Sequence, residues 1–108
     1  MPTVYKVLGQ SNPAATTNTT LYTVPASTST VVSTLSVTNL GVSTTFRVAV
    51  RPAGASIANQ HYIVYDSTIN AGSSAYLTLG ISLATTDVVT VYAGTATLAF
   101  SLFGSEVS

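Results

Sequence analysis

Residues 44–51, TTFRVAVR, alternate from Thr45 onward between apolar side chains and polar, charged or small ones. Because successive side chains of a strand point to opposite faces, the apolar members share one face. Those members are Phe46, Val48 and Val50. The opposite face carries Arg47 and Arg51, two of only three basic residues in the chain. This stretch predicts a strand that packs one face into a core and turns its arginines outward.

The same period-two pattern recurs from one end of the chain to the other, with turn-forming residues between the runs. The strand candidates are residues 3–8, 20–24, 30–39, 44–51, 61–66, 74–83, 87–93 and 96–103. A convincing 3.6-residue apolar stripe, which would indicate a helix, does not occur. About eight short strands at close spacing predict an all-β fold, an antiparallel β-sandwich with the jelly roll as one form of it.

No linker or internal repeat divides the sequence, so we expect a single sandwich domain over residues 1–108. Residues 63–65 and 88–89 are apolar on both faces, which predicts strands that are either central or covered by a partner chain. Residues 9–20, rich in Ala, Thr and Asn, show no periodicity. They are interpreted either as an extended arm that reaches a neighbour or as a loop.

Charge is scarce, with three basic and three acidic side chains, 6% of the residues, and a net charge of zero. An average soluble domain has about 25% charged residues. Few charges and a mean hydropathy of +0.48 favour association. Zero net charge predicts no nucleic-acid partner, and no apolar run is long enough for a membrane span. The start, MPTVYKVLGQ, lacks a secretory pattern, which favours synthesis and use in a cytoplasm.

Residues with catalytic or metal-binding chemistry are few and scattered. Cysteine is absent, and His61 is the single histidine. A GxSxG elbow is also absent, so His61 is expected to pack or to cap the start of a strand. Asp66 and Asp87 lie next to turns, where aspartate commonly bonds to backbone. One histidine and three dispersed acids do not make a metal site. The sequence therefore predicts no catalytic residues, no metal and no cofactor.

The candidate interface consists of Arg47, Arg51, Tyr62 and Tyr65. Arginine and tyrosine are both enriched where surfaces become buried between chains, which favours subunit contact. Two alternatives remain open. An arginine can instead pair within its own chain with one of the three acids, which are Asp66, Asp87 and Glu106. The tyrosines can instead form a platform on which a sugar stacks.

Four blocks of the sequence, taken in order, carry a resemblance to a known family. They are KVLGQSNPAATTNTTLYTVP (6–25), VVSTLSVTNLGVSTTFRVAVRPAG (31–54), HYIVYDSTINAGSSAYLTLGISLATTDVVTVYAG (61–94) and TATLAFSLFGSEVS (95–108). Together they resemble the small β-sandwich virion structural proteins of tailed bacteriophages, including cyanophages, which decorate or cement capsids or are associated with tails.

The resemblance implies a non-enzymatic structural subunit of a virion, assembled in the host cytoplasm. The first expectation is a capsid decoration or cement protein that binds and stabilises the assembled capsid. A neck, tail or baseplate subunit is the alternative, and a host-facing carbohydrate-binding fibre module is a rival. The expected partners are the major capsid protein or other virion proteins, and the chain itself. A trimer is favoured for this homo-oligomer because capsid lattices have three-fold positions.

Overall fold

The computed structural model describes residues 3–108, so Met1 and Pro2 of the predicted domain lie outside the described residues. Within this range the chain is almost entirely β-structure, with short 3₁₀ turns at Pro52–Gly54 and Asn59–His61. The strands are β1 (Thr3–Ser11), β2 (Thr19–Thr23), β3 (Ser29–Asn39), β4 (Thr44–Arg51), β5 (Tyr62–Ile69), β6 (Ser74–Leu83), β7 (Val88–Ala93) and β8 (Leu98–Val107). All eight candidate strands are present, most of them within two or three residues of the expected bounds.

The strands form two antiparallel four-stranded sheets. Sheet I has the order β1-β8-β3-β6, and sheet II has the order β2-β7-β4-β5. The first strand thus pairs with the last, the second with the seventh, the third with the sixth and the fourth with the fifth. This nested pairing is that of a long hairpin wrapped into a sandwich, the jelly roll. The predicted all-β antiparallel sandwich is confirmed.

The core lies between the sheets and consists of the apolar faces that the alternation predicts. Phe46 of sheet II meets Phe100 of sheet I edge to face, with ring centroids 6.2 Å apart. The fully buried side chains include Val32, Leu35, Val37, Val48, Val89, Val91, Leu98 and Leu102. Burying a side chain of this size stabilises the fold by about 1.5–3 kcal/mol, so the core is the main source of stability.

The two strands that are apolar on both faces have different positions. β7 lies between β2 and β4, and its Val88 and Val89 are buried, so it is a central strand. β5 is the edge strand of sheet II, and its Ile63 and Tyr65 are 45% and 59% exposed. Of the two interpretations offered by the sequence, a central position therefore applies to β7 alone.

The segment 9–20 is packed on its own domain. Its ends belong to β1 and β2, and Pro13 between them is buried. The side-chain amide of Asn12 donates hydrogen bonds to the backbone oxygens of Ala96 and Leu98, at 3.2 and 2.7 Å. The backbone N–H of Thr16 bonds to the carbonyl of Ala93 at 2.8 Å. These bonds hold the segment against the end of β7, the β7–β8 connection and the start of β8, instead of extending it from the domain.

At one end of the sandwich, buried Asn39 ties the loops together. Its Nδ2 donates to the carbonyl oxygens of Val42, Ile69 and Asn70, at 2.7, 3.2 and 3.2 Å. Its Oδ1 accepts bonds from the Gly41 backbone and from the Thr97 hydroxyl, each at 3.0 Å. One side chain thus satisfies groups from the β3–β4, β5–β6 and β7–β8 connections. Buried backbone groups need such partners, because leaving them unsatisfied costs free energy.

At the other end, Tyr22 of sheet II reaches across to sheet I. Its hydroxyl lies 2.8 Å from the Thr30 hydroxyl and donates to the carboxylate of Glu106. Lys6 donates to the other oxygen of that carboxylate at 3.2 Å. Burial, reinforced by the bond to Glu106, raises the pKa of Tyr22 to about 12. The bond from Tyr22, with that from Lys6, holds the pKa of Glu106 below its ordinary value.

These two pKa shifts make stability depend on pH at both extremes. A lowered folded-state pKa for Glu106 means that its contribution is present above the ordinary glutamate range, near pH 4.5, and is lost as pH falls further. A raised pKa for Tyr22 means that its contribution is present below pH 10 and is lost as pH rises towards about 12. The inter-sheet contact is therefore complete across the neutral range.

We predict that Glu106→Gln lowers the free energy of unfolding by about 1 kcal/mol at neutral pH, because a neutral amide is a weaker acceptor than a carboxylate. The difference from wild type should shrink as pH falls from about 6 to about 3, since the wild-type carboxylate is then protonated. Urea denaturation across this pH range measures it. If the free energies of unfolding of the two proteins change with pH in the same way, Glu106 is not the acid whose titration affects stability.

Candidate interface: the arginine and tyrosine face of sheet II

Arg47 lies on the outward face of sheet II, between strands that each present an aromatic ring. On one side, β7 places Tyr92 directly opposite it. On the other side, the register between β4 and β5 shifts on passing from Phe46 to Val48. Two residues of β5, Tyr65 and Asp66, therefore lie opposite the single residue Arg47, which defines a β-bulge.

The bulge surrounds the Arg47 guanidinium with three groups. Its central carbon lies 4.3 Å from the centroid of the Tyr65 ring and 4.2 Å from that of Tyr92. Its Nε donates to Asp66 Oδ1 at 2.6 Å, and one terminal nitrogen donates to Oδ2 at 3.3 Å. This hydrogen-bonded carboxylate raises the pKa of Arg47 further, so the side chain stays charged. Guanidinium groups favour this combination of aromatic faces and a bidentate carboxylate.

Asp66 occupies the bulge because its backbone can adopt the required conformation. Its φ is +50°, in the left-handed region that aspartate tolerates better than most residues. The expectation that Asp66 bonds to turn backbone is wrong: its carboxylate pairs with Arg47 from within β5. The expectation holds for Asp87, whose carboxylate accepts the backbone N–H groups of Ala53 and Ala84, both at 2.9 Å.

Tyr62 extends the aromatic group along the edge strand β5 toward its first residue. Its ring stands at 83° to that of Tyr65, with centroids 4.9 Å apart. The two rings and Asn59 line a shallow surface pocket of about 360 Å³. Tyr65 is 59% exposed despite its contacts with Arg47 and Tyr62. The pocket offers aromatic surface and one amide to a ligand or to a neighbouring chain.

Arg51 lies on the same outward face of β4 as Arg47, four residues further along the strand, but its contacts differ from those of Arg47. Its Nε donates to the hydroxyl of buried Thr90 at 3.0 Å. A terminal nitrogen donates to the carbonyl oxygens of Gly54 and Ala55, at 3.4 and 3.0 Å. Arg51 therefore holds the turn after β4 against the sheet, a structural role within its own chain.

The structure thus brings together three of the four residues of the candidate interface. Arg47, Tyr65 and Tyr62 are contiguous, whereas Arg51 is directed to the turn. The alternative of an ion pair within the chain applies to Arg47 and Asp66. Burial by another subunit remains a prediction. Sequence reasoning missed Tyr92 as a member of the cluster, because its position opposite Arg47 depends on a register that the sequence alone does not give.

Within the described chain, His61 contacts the backbone of the turn before β5. The buried His61 accepts the backbone N–H of Ala58 on Nδ1 at 3.1 Å, which caps the 3₁₀ turn before β5. Among residues 3–108, no three His, Cys, Asp or Glu side chains cluster as metal ligands would. The same residues include no helix with the length and apolarity of a membrane span.

Comparison with protein-family models, with curated protein sequences and with solved structures finds no match for this chain.

We predict that Arg47→Ala lowers the free energy of unfolding of the isolated protein by about 1 kcal/mol, because a partly exposed ion pair and the ring contacts are each worth up to about that much. A double-mutant cycle with Asp66→Asn should give a coupling energy of about 0.5 kcal/mol. Chemical denaturation of the four proteins measures it. Zero coupling would mean that the pair contributes nothing to stability.

The matched variant Arg51→Ala separates the two arginines. It should raise hydrogen exchange in residues 52–58, because the turn loses its side-chain donor, while Arg47→Ala should leave that exchange unchanged. An interface role for Arg47 has its own readout, a smaller oligomer or poorer incorporation into particles at a temperature where the variant is folded. Normal assembly of both variants would exclude the interface hypothesis for the arginines.

Proposed function

We propose that this protein is a non-enzymatic structural subunit of a tailed-phage virion, and first of all a capsid decoration or cement protein that binds and stabilises the assembled capsid. The observation that carries the proposal is the distribution of charge over the two outer faces of the sandwich. The outward face of sheet I, called face I from here on, combines exposed apolar side chains with an absence of charge.

Face I is defined by the alternation along the four strands of sheet I. Val32, Leu35 and Leu102 are buried in the core, so their neighbours in β3 and β8 point outward. The large side chains of face I are Tyr5, Val7, Val31, Tyr76 and Phe103. Ser and Thr supply nearly all of the remaining positions. Tyr5 is 84% exposed and Tyr76 is 72% exposed.

None of the six charged side chains, all of which lie within residues 3–108, belongs to face I. Lys6 and Glu106 are on the inward side of sheet I and pair with each other. Arg47 and Asp66 pair on sheet II. Arg51 and Asp87 bond to turn backbone. A sheet face with exposed aromatic and β-branched side chains and no charge is unfavourable in water and marks a surface for contact.

A virion supplies the contact that such a face favours. Neighbouring subunits in a lattice cover apolar surface at fixed positions. A sandwich with few charges can lie flat on those subunits. Jelly rolls are a recurrent architecture of viral capsid and lectin domains, an analogy of fold that supports the proposal without assigning the function. The proposed partners are the major capsid protein or other virion proteins and further copies of the chain. A neck, tail or baseplate position is the alternative within the same particle.

We predict that the protein is present in hundreds of copies per purified particle if it decorates the capsid, because each lattice position binds one copy. Quantitative mass spectrometry against the major capsid protein measures the ratio. A dozen copies or fewer would favour the neck, tail or baseplate. Absence from purified particles would contradict the virion assignment altogether.

The pocket of Asn59, Tyr62 and Tyr65 favours a second candidate, a host-facing carbohydrate-binding fibre module. Sugars stack on exposed aromatic rings, and an amide can bond to their hydroxyl groups. If this candidate holds, a glycan array should show binding that Tyr65→Ala abolishes and that Tyr76→Ala, an exposed tyrosine on the other sheet, leaves intact. The same glycans bound equally by both variants, or by neither, would exclude a saccharide site at this pocket.

A further inference from the structure

We propose that face I pairs with face I of a second copy of this chain, in a two-fold symmetric, face-to-face contact between the two sheets I. The inference rests on the proposed function in that both assign face I to contact between subunits. It goes further by naming the partner, the symmetry and the residues that interlock.

Charge is the first reason for choosing a second copy as the occupant. A two-fold contact brings each patch against itself, so a charge near the axis meets its own copy, and a charge elsewhere becomes buried unless an opposite charge lies at the matching position. Face I avoids both penalties, because its outward positions in the described strands are uncharged. A partner with an average, charged surface would have to bury its own charges against hydroxyl and apolar groups. Face I is therefore matched to a surface with its own composition.

The size of face I is the second reason. The strands of sheet I have nine to eleven residues, so the face is about 30 Å long and, with four strands, about 15–20 Å wide. Its projected area is thus on the order of 500 Å², and side-chain relief raises the accessible area further. A standard protein interface buries about 800 Å² on each partner. Covering face I alone buries an area that approaches this value, whereas pairing between two edge strands would bury less.

Shape is the third reason, because face I carries both a groove and a protrusion. Tyr5, Val7, Val31 and Phe103 line an open groove of about 590 Å³ on the side of β1 and β8, together with Lys6, whose ammonium group pairs with Glu106. Tyr76 protrudes from β6, the edge strand on the opposite side of the sheet. A two-fold axis that lies in the contact plane and perpendicularly bisects the line between these two positions exchanges them, so that each Tyr76 enters the groove of the other copy. Tyrosine anchors in apolar pockets are typical of the centre of an interface.

The inferred symmetry is distinct from the trimer favoured on lattice grounds. A contact of face I with itself closes after two copies, so it produces dimers or assemblies with an even number of chains. A stable trimer in solution would contradict the inference.

The decisive experiment compares two substitutions of valine by lysine. Val31→Lys places a charge on the central strand β3 of face I, beside the groove, where the residue is 43% exposed in the single chain and can accept a long side chain. Val42→Lys places the same charge in the β3–β4 loop, where the valine is 65% exposed and lies away from face I. Sedimentation velocity over about 1–100 μM measures the association of each protein, and thermal melting verifies that both variants fold.

We expect wild type and Val42→Lys to form the same dimer, and Val31→Lys to bind itself at least about 30-fold more weakly, because a buried lysine without a partner costs several kcal/mol. Tyr76→Ala should also weaken the dimer, while Tyr65→Ala on sheet II should leave it unchanged. A monomeric wild type at 100 μM would overturn the inference, as would equal association of the two lysine variants.

The inference and the proposed function can fail separately. If the chain is absent from purified particles but Val31→Lys alone breaks the dimer, the virion assignment fails and the face I pairing stands. If the chain is abundant in particles and Val31→Lys dimerises and incorporates as wild type does, the pairing fails and the virion assignment stands.

Discussion

The structure depends on β8 taking its place between β1 and β3, because this last strand supplies both neighbours of sheet I with backbone partners. It also contributes Leu98, Phe100 and Leu102 to the core. Close approach is needed where β8 passes the irregularity in β3, and a side chain at Gly104 would collide with the Val31 carbonyl oxygen. β8 and β1 lie at opposite ends of the chain, so sheet I depends on a pairing between residues about 100 positions apart. Such non-local pairing is typical of slow-folding β-proteins.

The two sheets are held in position by polar contacts at the two ends of β3. Thr30 near its start meets Tyr22 from the other sheet, and Asn39 at its end bonds to three connections. Within the described residues, every buried side-chain nitrogen or oxygen has a hydrogen-bond partner. The apolar core stabilises the sandwich without specifying how the sheets align, since apolar contacts are non-directional. The hydrogen bonds at the two ends of β3 specify the alignment of the sheets. Because the chain has few charges, these bonds come largely from neutral side chains.

The sequence predicted what depends on alternation and missed what depends on register. The strands, the inward face of 44–51 and the all-β class follow from a period of two, which is a local property. The Arg47 cluster arises from a bulge at Asp66, and the run HYIVYD does not by itself predict an extra residue opposite Arg47. The role of Asn39 was equally hidden, because its partners come from loops far apart in sequence. Face I became visible only when four separated strands were placed side by side.

The two outer faces differ in how their side chains are satisfied, and this difference bears on function more than composition does. On sheet II, Arg47 and Arg51 already have partners within the chain, so a neighbour would have to replace or bury existing contacts. On face I, Tyr5 and Tyr76 are largely in solvent, so a neighbour would gain new contacts without breaking any ion pair. Association is favoured where burial gains most and disrupts least. Scarcity of charge in this chain is therefore best understood as a property of one surface, with the few charges kept where they hold the fold.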